Sequence, residues 1–288
     1  MKILIFGAYG LLGGYLTKYL SKKHNIVKVG RNYKSQVMLN KFNNKNILKI
    51  FRNYSPDCVI NLIALTDVDK CEKNKRLCFK TNSEITKEIV NAIDKFKSEK
   101  KIFFILISSD QVYSGKGPHL EKKTRPINNY AYSKLISEKY TLKIDSCILR
   151  TNFLCKSKKV SKKSLSDWIY TNLKKGKKIN VFKNILFSPL YVETLCKYIN
   201  LVATKKINGI FNIGSNRGIS KAQMSFLFAK KLRLNTSLLK SINYEKKKLI
   251  AFRPNDMRLN NSKFKKYFKT TIFSTKSEIN KLCKDYKI

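Results

Sequence analysis

Residues 2–13 read KILIFGAYGLLG. Lys2 to Phe6 have the Ile/Leu/Phe-rich composition of a fully buried parallel strand, and the LLGGYLTKYL that follows places apolar residues at helical spacing from Leu11 to Leu20. Gly7, Gly10 and Gly13 therefore fall in a strand-to-helix turn. A missing Cβ there lets the backbone approach a pyrophosphate, whose charge is favoured by the free N–H groups and dipole of the helix N-terminus. The spacing G-x-x-G-x-x-G differs from the better-known G-x-G-x-x-G, and by itself it also suits a tight packing turn. Its place after a strand and before a helix favours the nucleotide.

Further apolar runs occur as NIVKVG (25–30), CVINLIA (58–64), KIFFILIS (101–108) and SCILRT (146–151), separated by polar or helical stretches such as SEITKEIVNAIDKFKSEK (83–100). Strands alternating with helices predict an α/β protein with a doubly wound parallel sheet of Rossmann type, whose ligands bind at the carboxyl ends of the strands. From about Thr151 the pattern changes to a basic loop, CKSKKVSKKS, an amphipathic helix, LSDWIYTNLKKGKK, closed by Gly176, and a short strand, GIFNIGS. The expected organisation is a dinucleotide-binding domain over 1–150 and a smaller C-terminal α/β substrate lobe over 151–288, partly woven back into the sheet at about 190–213.

A chain of 288 residues that is 43% hydrophobic can bury one large core or two cooperating ones. No long uncharged apolar run is present, and the first strand begins at Lys2 without a leader pattern, so a cytoplasmic protein with no membrane partner is expected. The cysteines (Cys58, Cys71, Cys78, Cys147, Cys155, Cys196 and Cys283) form no C-x-x-C pair and no Cys/His cluster. They read as buried reduced thiols, and no metal is expected. The formal charge of +43 comes mainly from lysines spread along the whole chain, a pattern that fits an AT-rich coding bias. No helix-turn-helix, RNA-recognition or zinc-finger spacing accompanies it, so a solvated surface is favoured over a specific nucleic-acid face. The positive field still attracts anionic ligands, among them nucleotide sugars and dinucleotides.

After KIFFILI comes SSDQVYSG, and some twenty residues later NNYAYSKLISEKY. Tyr130 and Lys134 stand four apart on a helix, one turn above the other on one face. A nearby ammonium favours the phenolate, so Lys134 is expected to lower the Tyr130 pKa and fit the phenol to donate a proton to a carbonyl oxygen as hydride reaches the carbon. Lys134 can also hold ribose hydroxyls, and Ser109, at a strand end, can stabilise the developing negative charge. Y-x-x-x-K arises easily by chance in a chain with 15 tyrosines, Tyr15 and Tyr140 among them. The glycine turn, the strand-end serine and the pair, in this order, do not.

With these motifs the chain resembles the extended short-chain dehydrogenase/reductase family, and within it the dTDP-4-dehydrorhamnose reductase-like branch. The resemblance shows in MKILIFGAYGLLG, SPDCVINLIALTDVDKCE, the Thr81-Asn82 pair, SSDQVYSGKG, NNYAYSKLISE, ILRTNF and RPNDMRLNNSKF. It implies Ser109, Tyr130 and Lys134 as the catalytic triad, with Asp110 beside the substrate. It implies Gly7, Gly10, Leu11, Leu12 and Gly13 as the pyrophosphate turn, and Ala64, Leu65, Thr66 and Asn82 as further cofactor contacts. The activity implied is NAD(P)H-dependent reduction of a nucleotide-linked 4-keto-6-deoxysugar in surface polysaccharide synthesis, with room for a homodimer.

Some positions depart from that pattern. NIVKVGRN ends in Gly30-Arg31 where an acidic residue would grip the adenosine ribose, and an arginine there suits a 2′-phosphate; NADPH is expected, with NADH as the alternative. Phe153 stands where related chains carry tryptophan, as a core aromatic or a substrate contact, and KNILFSPL lacks the acidic, glycine-containing loop of the family. The sugar is thereby left open. Competing readings are an NAD-dependent nucleotide-sugar epimerase or dehydratase, and a non-catalytic regulatory subunit of the methionine adenosyltransferase β type.

Overall fold

The computed structural model describes residues 1–31, 35–157, 163–245 and 250–287. The chain runs through β1 (Lys2–Phe6), α1 (Leu11–Leu20), β2 (Asn25–Gly30), β3 (Val37–Met38), α2 (Asn44–Tyr54), β4 (Cys58–Asn61), α3 (Val68–Lys73), α4 (Lys75–Phe79), α5 (Ile85–Phe96), β5 (Phe103–Ser109), α6 (Asn129–Thr141) and β6 (Ser146–Thr151). It continues as β7 (Phe153–Leu154), α7 (Leu165–Lys174), β8 (Ile179–Phe182), β9 (Leu186–Phe187), β10 (Leu190–Tyr191), α8 (Val192–Lys205), β11 (Gly209–Ile213), β12 (Ile219–Ser220) and α9 (Lys221–Lys231). The last elements are β13 (Leu239–Ile242), β14 (Asp256–Met257), α10 (Ser262–Phe268) and α11 (Thr275–Lys284).

Seven strands form one parallel sheet in the order β11-β6-β5-β4-β1-β2-β3. This is the doubly wound Rossmann arrangement expected from the alternating runs. Alternate residues of β1 go to opposite faces. Ile3 and Ile5 join Leu12 and Leu16 of α1 and Leu195 and Ile199 of α8 on one side. Leu4 and Phe6 join Ile47 and Phe51 of α2 and Ile89 and Ile93 of α5 on the other. Each such side chain, fully buried, contributes about 1.5–3 kcal/mol, and helices on both faces are what an all-parallel sheet requires.

The run CVINLIA is a strand only to Asn61. The Asn61 side chain turns back and accepts a hydrogen bond from the Ile63 N–H at 2.9 Å, which ends the ladder and releases residues 62–66 as a loop. After Thr151 most strands are short and belong to small sheets, but β11 pairs in parallel with β6 and forms an edge of the main sheet. The cysteines Cys58, Cys71, Cys78, Cys147, Cys155, Cys196 and Cys283 are buried and free. Among the described residues, no helix is long and apolar enough to cross a membrane, and no group of three or more His, Cys, Asp or Glu is placed to hold a metal ion.

Candidate active site

The carboxyl ends of β1, β4 and β5 open into a cleft of about 840 Å³. Its wall begins with the glycine turn. Gly7 has φ +80°, in the left-handed region that side chains avoid, and its amide neighbour in the turn, Gly10, donates to the Gly7 carbonyl at 2.9 Å. A Cβ at Gly13 would lie 2.3 Å from that same carbonyl oxygen and 2.6 Å from the Ala8 backbone. The first turn of α1 is thus pressed onto the loop, with Gly10, Leu11 and Leu12 facing the cleft and Gly7 and Gly13 shaping the turn behind them. The N–H groups that open a helix lack intrahelical partners, so this backbone cradle suits a pyrophosphate.

At the end of β2 the exposed Arg31 places its guanidinium 5.3 Å from the centre of the Phe42 ring, outside the lining of the main cleft. Residues 32–34, which follow it, lie outside the described residues. Gly30 is hemmed in, since an added Cβ would sit 2.3 Å from Ser35 Oγ and 2.7 Å from the Tyr9 ring.

Ala64, Leu65 and Thr66 line the opposite wall. Asn82, expected among the cofactor contacts, is fully buried and does not open onto the cleft. Its side-chain oxygen accepts from the Leu65 N–H at 2.7 Å, and its amide donates to Ser133 Oγ at 2.8 Å. A buried amide needs such partners, and these happen to tie the loop after β4 to helix α6. Asn82 therefore sets the loop that faces the cleft.

Asn128 caps α6 by accepting from the Ala131 N–H at 2.8 Å, which fixes the start of the helix that carries Tyr130 and Lys134. Tyr130, packed with Val68, Cys71, Cys78 and Ala251, faces the cleft together with Ser109 and Lys134. The expected depression of the Tyr130 pKa is not what the structure has. Burial raises it, the Ser109 hydrogen bond lowers it, and the Asp110 charge raises it again, with a net upward shift. Lys134 is 2% exposed, donates to the Ile107 carbonyl at 2.8 Å, and has its pKa lowered to about 8 by burial against the charge of Glu138. Desolvation is the largest influence on both groups here, and it penalises both charged forms.

Asp110 is also in the cleft and 1% exposed. Its carboxylate accepts from Asn152 Nδ2 at 2.8 Å and from Ser109 Oγ at 3.2 Å, and burial pushes its pKa up to about 6 despite those bonds and the Lys221 charge. Phe153 is half-buried, lining the cleft while packing on the core.

Sequence reading missed the support beneath these groups. Glu138, one turn beyond Lys134, accepts from Ser108 Oγ at 2.5 Å and pairs with Arg150 of β6 at 2.5 Å. Arg150 in turn donates to the Tyr113 hydroxyl at 2.7 Å, which donates to Asn212 of β11 at 2.7 Å. An E at i+4 from the lysine and an R in ILRT are visible in the sequence, but nothing there pairs them.

Compared with known proteins, the chain is similar to the dTDP-4-dehydrorhamnose reductase of Salmonella typhimurium, 27% identical over 93% of this chain and 92% of that protein. It is 30% identical to a hypothetical dTDP-4-dehydrorhamnose reductase from Sulfolobus tokodaii, whose crystal structure superposes with a TM-score of 0.82 over 95% of this chain and 97% of that one. The dTDP-4-dehydrorhamnose reductase of Bacillus anthracis, solved in complex with NADP, shares the fold at 19% identity with a TM-score of 0.85 over 99% of each chain. The family model described as RmlD substrate binding domain matches residues 1–288, and over that whole length the protein belongs to this family.

Proposed function

We propose that the protein reduces the keto group of a nucleotide-linked 4-keto-6-deoxysugar, with NADPH as the reductant. The carrying observation is that Ser109, Tyr130 and Lys134 face one cleft whose wall is the glycine turn. The NADP held by the Bacillus anthracis relative supports the cofactor, as does the cradle at Gly10–Leu12 that a side chain at Gly13 would destroy.

Gly10, Leu11 and Leu12 would hold the pyrophosphate, Ala64 to Thr66 the opposite side, Lys134 the ribose hydroxyls and Arg31 the 2′-phosphate. Bound there, the reduced nicotinamide supplies a hydride. Tyr130, kept protonated by its buried setting, donates its proton to the oxygen of the ketone. Ser109 hydrogen-bonds to the same oxygen and stabilises its developing charge. Phe153 packs against the sugar. Such a reaction belongs in the cytoplasm, where nucleotide sugars are made.

The test is oxidation of NADPH by the purified protein with dTDP- and UDP-linked 4-keto-6-deoxysugars, in parallel with Tyr130→Phe. Turnover by the wild type and none by the variant is the expected result. Protein that arrives with tightly bound oxidised NAD and isomerises or dehydrates its substrate without consuming NADPH would replace this reading with the epimerase or dehydratase one.

A further inference from the structure

Beyond the end of β2 the chain is tied down at several points. The Leu39 N–H donates to the Gly30 carbonyl at 2.8 Å, and the Gln36 side-chain oxygen accepts from the Lys28 N–H at 3.1 Å. The Gln36 N–H donates to the hydroxyl of Tyr9, in the glycine turn, at 2.7 Å. By contrast, Ser35 Oγ is covered from solvent and has no hydrogen-bond partner among the described residues. A covered hydroxyl without a partner is destabilising, and its presence calls for an explanation.

Its position supplies one. A Cβ added at Gly30 would come 2.3 Å from Ser35 Oγ, so the hydroxyl fills the volume that a side chain on the last residue of β2 would take. In sheets of this kind a carboxylate at the end of the second strand grips the adenosine ribose of the dinucleotide. Here Ser35 stands in that volume and Arg31 follows Gly30 in the chain. A hydroxyl donates to a phosphate oxygen, which an ionised carboxylate cannot do. We propose that Ser35 is a cofactor-specificity residue, its hydroxyl donating to the 2′-phosphate of NADPH beside Arg31. The proposal rests on the NADPH reading above.

The surroundings favour the phosphorylated cofactor. Two carbons of the Tyr9 ring lie 2.7 and 3.1 Å from the same added Cβ, so residue 30 cannot carry a carboxylate without displacing that ring. The Tyr9–Gln36 bond holds the backbone next to Ser35 in place, and a serine has three staggered wells, so rotation about its Cα–Cβ bond alone re-aims the hydroxyl. A bond to the phosphate is then made with none broken inside the protein. NADH offers only a neutral ribose hydroxyl at this point, and the bond to an ionised phosphate is the stronger one.

Calorimetric titration with adenosine 2′,5′-bisphosphate and with 5′-AMP reads this contact apart from turnover. The wild type should bind the bisphosphate more tightly. Ser35→Ala should lose about tenfold in bisphosphate affinity, keep AMP affinity within about twofold, and melt no lower than the wild type, since its hydroxyl has no bond to lose. Ser35→Asp, which puts a carboxylate over Gly30, should reverse the preference. A Ser35→Ala protein that keeps the wild-type preference, weakens both ligands equally or melts below the wild type overturns the assignment of Ser35 alone. A wild type that binds the two nucleotides equally well, or neither, overturns the NADPH reading and this contact with it.

Discussion

The Lys134 ammonium, one turn beyond Tyr130 on α6, donates to the main-chain carbonyl of Ile107 at 2.8 Å. The lysine is thereby fixed at the end of β5, with its charge opposed by burial and supported by Glu138. Replacing it removes a buried cation as well as the proposed cofactor contact.

Lys134→Met should therefore stabilise the fold at neutral pH while harming both turnover and cofactor affinity. The lysine pKa falls from 10.5 to about 8 on folding. Below about 8 the cost of burying the charge is fully present; it is relieved as pH rises toward 10.5, where the unfolded lysine also loses its proton. At ~1.4 kcal/mol per unit, less the bond lost to Ile107, the gain is on the order of 2 kcal/mol at pH 7. Urea unfolding of both proteins should show the difference at pH 7 and its shrinkage by pH 10. A variant less stable than wild type at pH 7 refutes the account.

Tyr130→Phe removes the proposed proton donor and leaves the glycine turn untouched. Turnover should drop by about 10²–10⁴-fold or more, while the NADPH dissociation constant, measured by fluorescence titration, stays within about twofold. Wild-type activity in this variant would remove the phenol from the mechanism.

Arg31→Ala tests the cofactor. A guanidinium grips a phosphate through paired charge-assisted bonds, each worth roughly 1.5–3 kcal/mol, so the NADPH/NADH ratio of kcat/KM should fall at least about tenfold with little change for NADH. An unchanged ratio would mean that Arg31 simply rests on Phe42.

Adjacent glycines in α1 should respond with opposite sign. A Cβ at Gly14 meets no atom within 4 Å, so Gly14→Ala should raise stability by roughly 0.5–1 kcal/mol through helix propensity. At Gly13 the same methyl would lie 2.3 Å from the Gly7 carbonyl, and Gly13→Ala should cost at least about 1–3 kcal/mol and weaken NADPH binding. Thermal melts of the two variants, with and without NADPH, separate the effects.

The central strands and the glycine turn were legible because each is written locally: apolar runs such as KILIF, and glycines where a side chain cannot fit. Tyr130 and Lys134 were legible because four-residue spacing fixes a helical face. Their protonation was not, since it depends on how completely α6 is covered by α3, α4 and the loop after β4. The role of Asn82 was hidden for the same reason, its partners Leu65 and Ser133 lying 17 and 51 residues away. Asp110 was expected beside the substrate and lines the cleft, yet its bond to Asn152 spans 42 residues and no spacing rule announces it.

Strand β6 is buried along its whole length, from Ser146 to Thr151, and is an interior strand because β11 returns to pair with it from Gly209 to Ile213. During synthesis the ribosome releases β6 some sixty residues before its partner. Until then an apolar strand with unpaired backbone groups is the sheet margin, a template for intermolecular pairing. The nascent chain cannot complete the main sheet before β11 has emerged. A fragment ending near residue 150 should aggregate, and one extended through 213 closes that margin.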